Sequence, residues 1–229
     1  MIRKMWLWIW IVIIAILSLP FLLVAKIINN KELSLKMIHC VCKPINFFSG
    51  NKIHLIDFNN LTEHSDYVLV ANHLSFFDIL SLMSFIDKPI VFVAKKSLSK
   101  IPIATQWFNT QDTIYIDRDD VNSGITTMKK VIVHMKNHES VGLFPAGTRS
   151  SEEVDFKPGI IKIAQKNKKT IIPLTIQNTN LVLEDRKGNK KVDTYFTFHQ
   201  PLTYDEYQDL SLEDLCKELE NIVYMRNNN

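Results

Sequence analysis

Hydrophobic and polar positions divide the chain into two unlike parts. Met5–Ala25 is an unbroken run of 21 uncharged positions, dense in Ile, Leu and Val. Apolar on every face, it predicts a helix about 32 Å long, close to the ~30 Å hydrocarbon thickness of a bilayer. Arg3 and Lys4 precede it, Lys26 follows, and Trp6, Trp8 and Trp10 cluster at one end as in an interfacial belt. A cleaved signal peptide fits less well, because large apolar residues continue beyond Ser18-Leu19-Pro20 where a small-residue cleavage site would stand. Pro20 kinks the helix or ends it early, so a full crossing and a dip into one leaflet both stay open. Between Asn30 and Ser49 apolar and basic positions mix. That pattern suits either a helix lying on a bilayer surface or one packed on a core.

After Gly50 the period shortens. Strands are predicted at Lys52–Phe58, Asp66–Ala71, Pro89–Ala94, Thr113–Ile116, Val141–Phe144, Thr170–Gln177 and Thr194–His199. Helical periodicity falls at Phe76–Ile86, Ile101–Phe108, Ser123–Lys136, Gly159–Asn167 and Leu212–Met225. Strands alternating with helices predict an α/β layer fold. The polar stretch Glu184–Val192 reads as a hairpin loop and Asn227–Asn229 as a frayed tail. No repeat or second soluble domain is visible. The expected organisation is a membrane-anchoring helical region over 1–50 and one catalytic domain over 51–229.

Charge supports that division. Residues 1–50 hold six Lys or Arg and one acid, +5, so the remainder carries −2 of the net +3. The basic excess belongs where anionic headgroups would attract it, and it is not the basic stripe of a nucleic-acid-binding domain. Cys40, Cys42 and Cys216 offer neither metal-ligand spacing nor a disulfide framework, so reduced thiols are expected.

Chemistry concentrates in four blocks, each at a strand. Asn72-His73-Leu74-Ser75-Phe76-Phe77-Asp78 follows a buried-strand pattern. Residues five apart in a continuous helix diverge by about 140°. His73 and Asp78 therefore meet only if His73 lies in the loop and Asp78 in the helix after it. The carboxylate would then hold one imidazole nitrogen while the other faces a substrate. A surface histidine beside a helix-capping aspartate is the alternative. Ser75 reads as a capping residue, since no hydrolase elbow surrounds it. The second block is Ile114-Tyr115-Ile116-Asp117-Arg118. The third, Leu143-Phe144-Pro145-Ala146-Gly147-Thr148-Arg149-Ser150, combines close backbone approach with donors suited to a phosphate, and a tight turn with an incidental arginine is the alternative. The fourth is Ile171-Ile172-Pro173-Leu174-Thr175-Ile176, whose proline predicts an edge strand or a bulge. His39, His54, His64, His134, His138 and His199 lack any such context.

These four blocks, in this order, resemble the 1-acylglycerol-3-phosphate acyltransferases of the glycerolipid acyltransferase group. Phe92-Val93-Ala94-Lys95-Lys96, Lys100-Ile101-Pro102 and Phe156-Lys157-Pro158-Gly159 are also similar, so the likeness covers roughly residues 52–180. It implies a mixed sheet flanked by helices with an N-terminal membrane-associated helical segment. The implied reaction moves a fatty acyl group from a thioester of acyl carrier protein or coenzyme A to the sn-2 hydroxyl of lysophosphatidate, giving phosphatidic acid. No metal or cofactor is implied. His73 would be the base and Asp78 its partner; Asn72, Arg118, Gly147, Thr148 and Arg149 would bind substrate, with Lys95 and Lys96 as further candidates. The enzyme would sit on the inner cell membrane, facing the cytoplasm. Ala146 departs from the family's glutamate, and alanine cannot orient the neighbouring arginine as a carboxylate would. A different lysolipid acceptor, or a lipid-binding protein without turnover, remains open for that reason. Thr105 and Asp112 stand where the family often has glycine.

Overall fold

The structure, a computed structural model, describes residues 2–117, 120–188 and 190–226, with no side-chain detail for residues 2–8 or Val121. Arg118 and the tail Asn227–Asn229 lie outside the described residues.

Helices α1 (Ile2–Leu17), α2 (Leu19–Ile28) and α3 (Lys31–Ser49) precede the sheet. The expected single 32 Å helix is not found. The chain breaks at Ser18, α1 and α2 are bent by 44° to one another, and no single described helix is long and apolar enough to cross a membrane. Pro20 explains the break: without an N–H, it fits the first turn of a new helix and not the interior of an old one. The bend is anchored, since the buried Ser18 hydroxyl donates to Ala15 O at 2.7 Å and accepts from Trp107 Nε1 at 2.9 Å. Of the two readings of Asn30–Ser49, the packed helix is the one observed. Leu35, Ile38, Cys42 and Ile45 of α3 are buried, while Phe47 and Phe48 stay exposed.

Seven strands follow: β1 (Asn51–Ile56), β2 (Tyr67–Ala71), β3 (Ile90–Lys95), β4 (Ile114–Ile116), β5 (Ser140–Leu143), β6 (Thr170–Gln177) and β7 (Val192–Phe198). Their order is β1-β7-β6-β2-β5-β3-β4. From β6 to β4 neighbouring strands are parallel, β7 runs antiparallel to β6, and β1 is parallel to β7. The sheet is therefore mixed. Short helices α4 (Asn59–Thr62) and α9 (Tyr204–Tyr207) accompany α5 (Phe77–Phe85), α6 (Pro102–Asn109), α7 (Val121–Lys136), α8 (Pro158–Lys166) and α10 (Leu212–Val223). Helices α3, α5 and α6 cover one face of the sheet, and α7, α8 and α10 pack into a second cluster that includes Val68, Val70, Val141 and Ile171. Since side chains alternate along a strand, residues 68 and 70 of β2 enter one cluster while 67, 69 and 71 enter the other.

Pro173 is not at an edge, because β6 is paired on both sides. Its carbonyl accepts from His199 N–H at 3.0 Å, so its donorless nitrogen also faces the β7 side. Beyond Phe198 that side carries one extra residue, since Ile171 pairs with Leu202, and Pro173 lies beside this bulge.

Candidate active site

The chemically able residues gather at the carboxyl ends of adjacent parallel strands, where an open α/β sheet leaves a crevice for a ligand. β2 delivers His73, and α5 carries Asp78 in its first turn. His73 Nδ1 donates to Asp78 Oδ2 at 2.6 Å. The same oxygen accepts from Leu74 N–H at 2.8 Å and Ser75 N–H at 3.1 Å, backbone donors otherwise left without partners where a helix begins. Asp78 Oδ1 accepts from the Thr179 hydroxyl, which comes from the 3₁₀ turn Thr179–Val182 after β6. Four donors thus converge on a carboxylate of zero exposure. With Nδ1–H committed to Asp78, the lone pair of the His73 ring sits on Nε2.

The ring itself is held by stacking. Its centroid lies 4.3 Å from that of Phe144, and Phe144 continues to Phe92 at 6.2 Å. Gly142 makes room for this stack: a Cβ there would stand 2.2 Å from the Phe92 ring. Around it opens a cavity enclosing about 1050 Å³, its solvent-filled mouth included. Its wall is mostly apolar, with Ile79, Leu80 and Met83 from α5, Ile38 from α3 and Trp107 from α6. Cys42 also lines it, and burial pushes that thiol up to about 12.

The opposite lip follows β5. Gly147 turns the chain at φ +72°, with Lys157 Nζ 3.1 Å from where a Cβ would lie. Arg149 then projects into the cavity wall with about half its side chain exposed. Its Nη1 donates to Glu184 Oε1 at 3.3 Å, and Ser150 N–H donates to the His73 carbonyl at 2.9 Å. An imidazole fixed by a carboxylate, an apolar cavity and a guanidinium at one mouth form a site able to deprotonate a hydroxyl while holding a long chain and an anion.

A family model described as Acyltransferase matches residues 52–177. A 1-acyl-sn-glycerol-3-phosphate acyltransferase from Bacillus subtilis is 31% identical over 143 residues, 62% of this chain and 71% of that protein. The chain belongs to the acyltransferase family. Another 1-acyl-sn-glycerol-3-phosphate acyltransferase, from Borreliella burgdorferi, is 29% identical over 202 residues, covering 83% of this chain and 81% of its own. The crystal structure of the 1-acyl-sn-glycerophosphate (LPA) acyltransferase PlsC from Thermotoga maritima has the same fold, with TM-score 0.81 over 98% of this chain and 94% of that one at 23% identity.

The remaining expected residues of this acyltransferase are distributed unevenly. Asn72 is buried and gives both ends of its amide to Ile176: Nδ2 donates to the carbonyl at 2.9 Å and Oδ1 accepts the N–H at 2.7 Å. It fastens β2 to β6 and holds the His73 loop, without lining the cavity. Thr148 is exposed beside Arg149. Lys95 lines the cavity, whereas Lys96 donates to Asp117 at 3.1 Å. Arg118 lies outside the described residues. Asp112 has φ +51°, a left-handed conformation that glycine adopts freely, and meets Lys31 at 2.6 Å. Thr105, in the first turn of α6, donates its hydroxyl back to the Leu98 and Ile101 carbonyls that precede the helix. Ser75 Oγ is fully buried, accepts from Phe77 N–H at 3.0 Å and donates to Glu184 Oε2 at 2.6 Å, a local use at the entrance to α5.

Among the described residues, His73 is the one histidine lining the cavity. Asp112, His134 and Glu139 approach one another closely enough for a cation, but Lys31 already donates to both carboxylates and none of the three lines the cavity. Sequence reasoning missed Thr179 and Glu184. Both follow β6, more than a hundred positions from His73, in a stretch whose polarity marks only a loop.

Proposed function

We propose that this acyltransferase moves a fatty acyl group from an acyl thioester to the sn-2 hydroxyl of 1-acylglycerol-3-phosphate, giving phosphatidic acid. The observation that carries the reading is that His73, bonded to the buried Asp78, lines the same apolar cavity as Arg149. His73 Nε2 takes the acceptor's hydroxyl proton as its oxygen attacks the thioester carbonyl. Asp78 steadies the imidazolium that forms, as a carboxylate does in hydrolase triads. Collapse of the tetrahedral species breaks the C–S bond, and the thiolate leaves with the proton returned by His73. No enzyme residue is acylated. Cys42, the thiol nearest to such a role by its place in the wall, is kept protonated by burial and is a poor nucleophile.

Arg149 and the Gly147-Thr148 turn take the acceptor's phosphate, with Lys95 adding charge at the mouth. A planar guanidinium suits phosphate better than an ammonium does. Asn72 acts by holding the His73 loop. Arg118, at the end of β4 in the chain, is assigned to the same anion by its place in the motif. The test is an assay of purified membranes with labelled acyl thioester and lysophosphatidate. His73→Ala should lower turnover by roughly 10²–10⁴-fold. Wild-type protein inert towards every lysolipid offered would leave a binding protein instead.

The helical region 1–50 seats the domain 51–229 on the cytoplasmic face of the inner membrane, where lipid acceptor and soluble donor meet. Supporting this are the exposed Val12, Ile16, Leu17, Leu23, Ile27, Phe47 and Phe48, and the +5 charge of the region. The full chain should float with vesicles containing anionic lipid, and less with neutral ones. Failure to float with either would remove the anchor.

A further inference from the structure

Arg149 stands at the cavity lip on a loop, with about half its side chain in solvent. A guanidinium recognises phosphate through a planar fork, which must be aimed to work. The turn that carries it supplies no acid for aiming: Ala146 is 5% exposed, its methyl packed in the cluster of Phe156 and Ile161. A carboxylate arrives from elsewhere. Glu184 Oε1 accepts from Arg149 Nη1 at 3.3 Å and from Phe76 N–H at 3.0 Å, and Oε2 accepts from the buried Ser75 hydroxyl at 2.6 Å. Glu184 is therefore fastened to the start of α5, the helix that bears Asp78, independently of its contact with Arg149. The positive end of α5 favours an anion there. Ser150 N–H, bonded to the His73 carbonyl, ties the same two loops a second time.

We propose that Glu184 is the positioning residue of the acceptor anchor. It holds the Arg149 guanidinium at a set distance from His73, so that a phosphate bound there brings the acceptor hydroxyl into register with Nε2. Contact through one Nη1 leaves the guanidinium's other donors for the phosphate. The inference rests on the acceptor reading above.

The test is steady-state kinetics of the full chain with acyl thioester and lysophosphatidate, comparing wild type, Glu184→Gln, Arg149→Ala and the double variant. Glutamine keeps one acceptor oxygen for Phe76 N–H and turns its amide NH2 toward the Ser75 oxygen, while losing the charge. Glu184→Gln should raise KM for lysophosphatidate roughly 5- to 20-fold and leave the thioester KM unchanged. In the Arg149→Ala background it should add nothing, because its effect passes through that guanidinium. Glu184→Asp, one methylene short but charged, should fall between and serves if the glutamine variant does not fold. An unchanged lysophosphatidate KM, an equal rise in both backgrounds, or a parallel rise in the thioester KM overturns the inference. Absence of wild-type turnover on lysophosphatidate is a different outcome: it overturns the acceptor reading, and this inference with it.

Discussion

The two lips of the cavity are built in opposite ways. At the His73 lip the partners are close in sequence and buried: Asp78 has zero exposure, and three of its four donors come from residues 73–75. At the Arg149 lip the guanidinium is half exposed, and its carboxylate partner lies 35 positions away. The contrast suits the two tasks proposed for these lips. A base must present one nitrogen in one direction, so local geometry is sufficient and rigidity helps. The proposed headgroup anchor must stay open to its ligand, so its order has to come from outside its own loop.

The largest expected effect probes the closed lip. Asp78→Asn keeps the size but can release the His73 tautomer, and turnover should fall by up to about 10⁴-fold with substrate KM values little changed. Arg149→Ala probes the open lip. Removing a hydrogen-bonding charge should raise KM for lysophosphatidate roughly 10- to 100-fold, with a smaller fall in kcat. Should both variants depress the same kinetic parameter alike, the division of labour between the lips fails.

The smallest effect sharpens the comparison by testing what backs the cavity. Lys31 at the start of α3 joins Glu139 and Asp112. Burial alone would raise the Glu139 carboxyl, but hydrogen bonds from Lys31 and His134 outweigh it and hold the group below the ordinary glutamate range. A depressed acid stabilises the fold above its unfolded pKa, and that contribution is lost as pH falls through the folded value. The melting temperature of the full chain should therefore decline on acidification below the ordinary glutamate range. Glu139→Gln should remove about 3 °C or less of that decline, because about a third of each side chain is in water. An identical acid slope in wild type and variant would show that this contact contributes nothing.

Periodicity located every strand to within two or three residues and every helix longer than one turn in the α/β part, since alternation and 3.6-residue spacing are local properties. Length and apolarity alone overstated Met5–Ala25 as one straight helix, while Pro20 marked the break that is observed. At Pro173 the edge alternative failed and the bulge alternative held, because whether a missing N–H matters depends on the register of the neighbouring segment. In the site, the His73–Asp78 spacing was legible because loop and helix are contiguous. Asn72 was legible as a residue of the block, though not as the clamp on Ile176 that its buried amide forms.

What the sequence by itself determined is the set of elements, the acyltransferase family and the imidazole–carboxylate pair, all carried by patterns a few residues long. What only the tertiary structure decided is the company those groups keep: Thr179 on Asp78, Phe144 under His73, and Glu184 bridging Ser75 and Arg149. These contacts join strand ends that are adjacent in the sheet but distant along the chain. Sheet order, which brings them together, is set by burial of whole faces and is not written in any single segment.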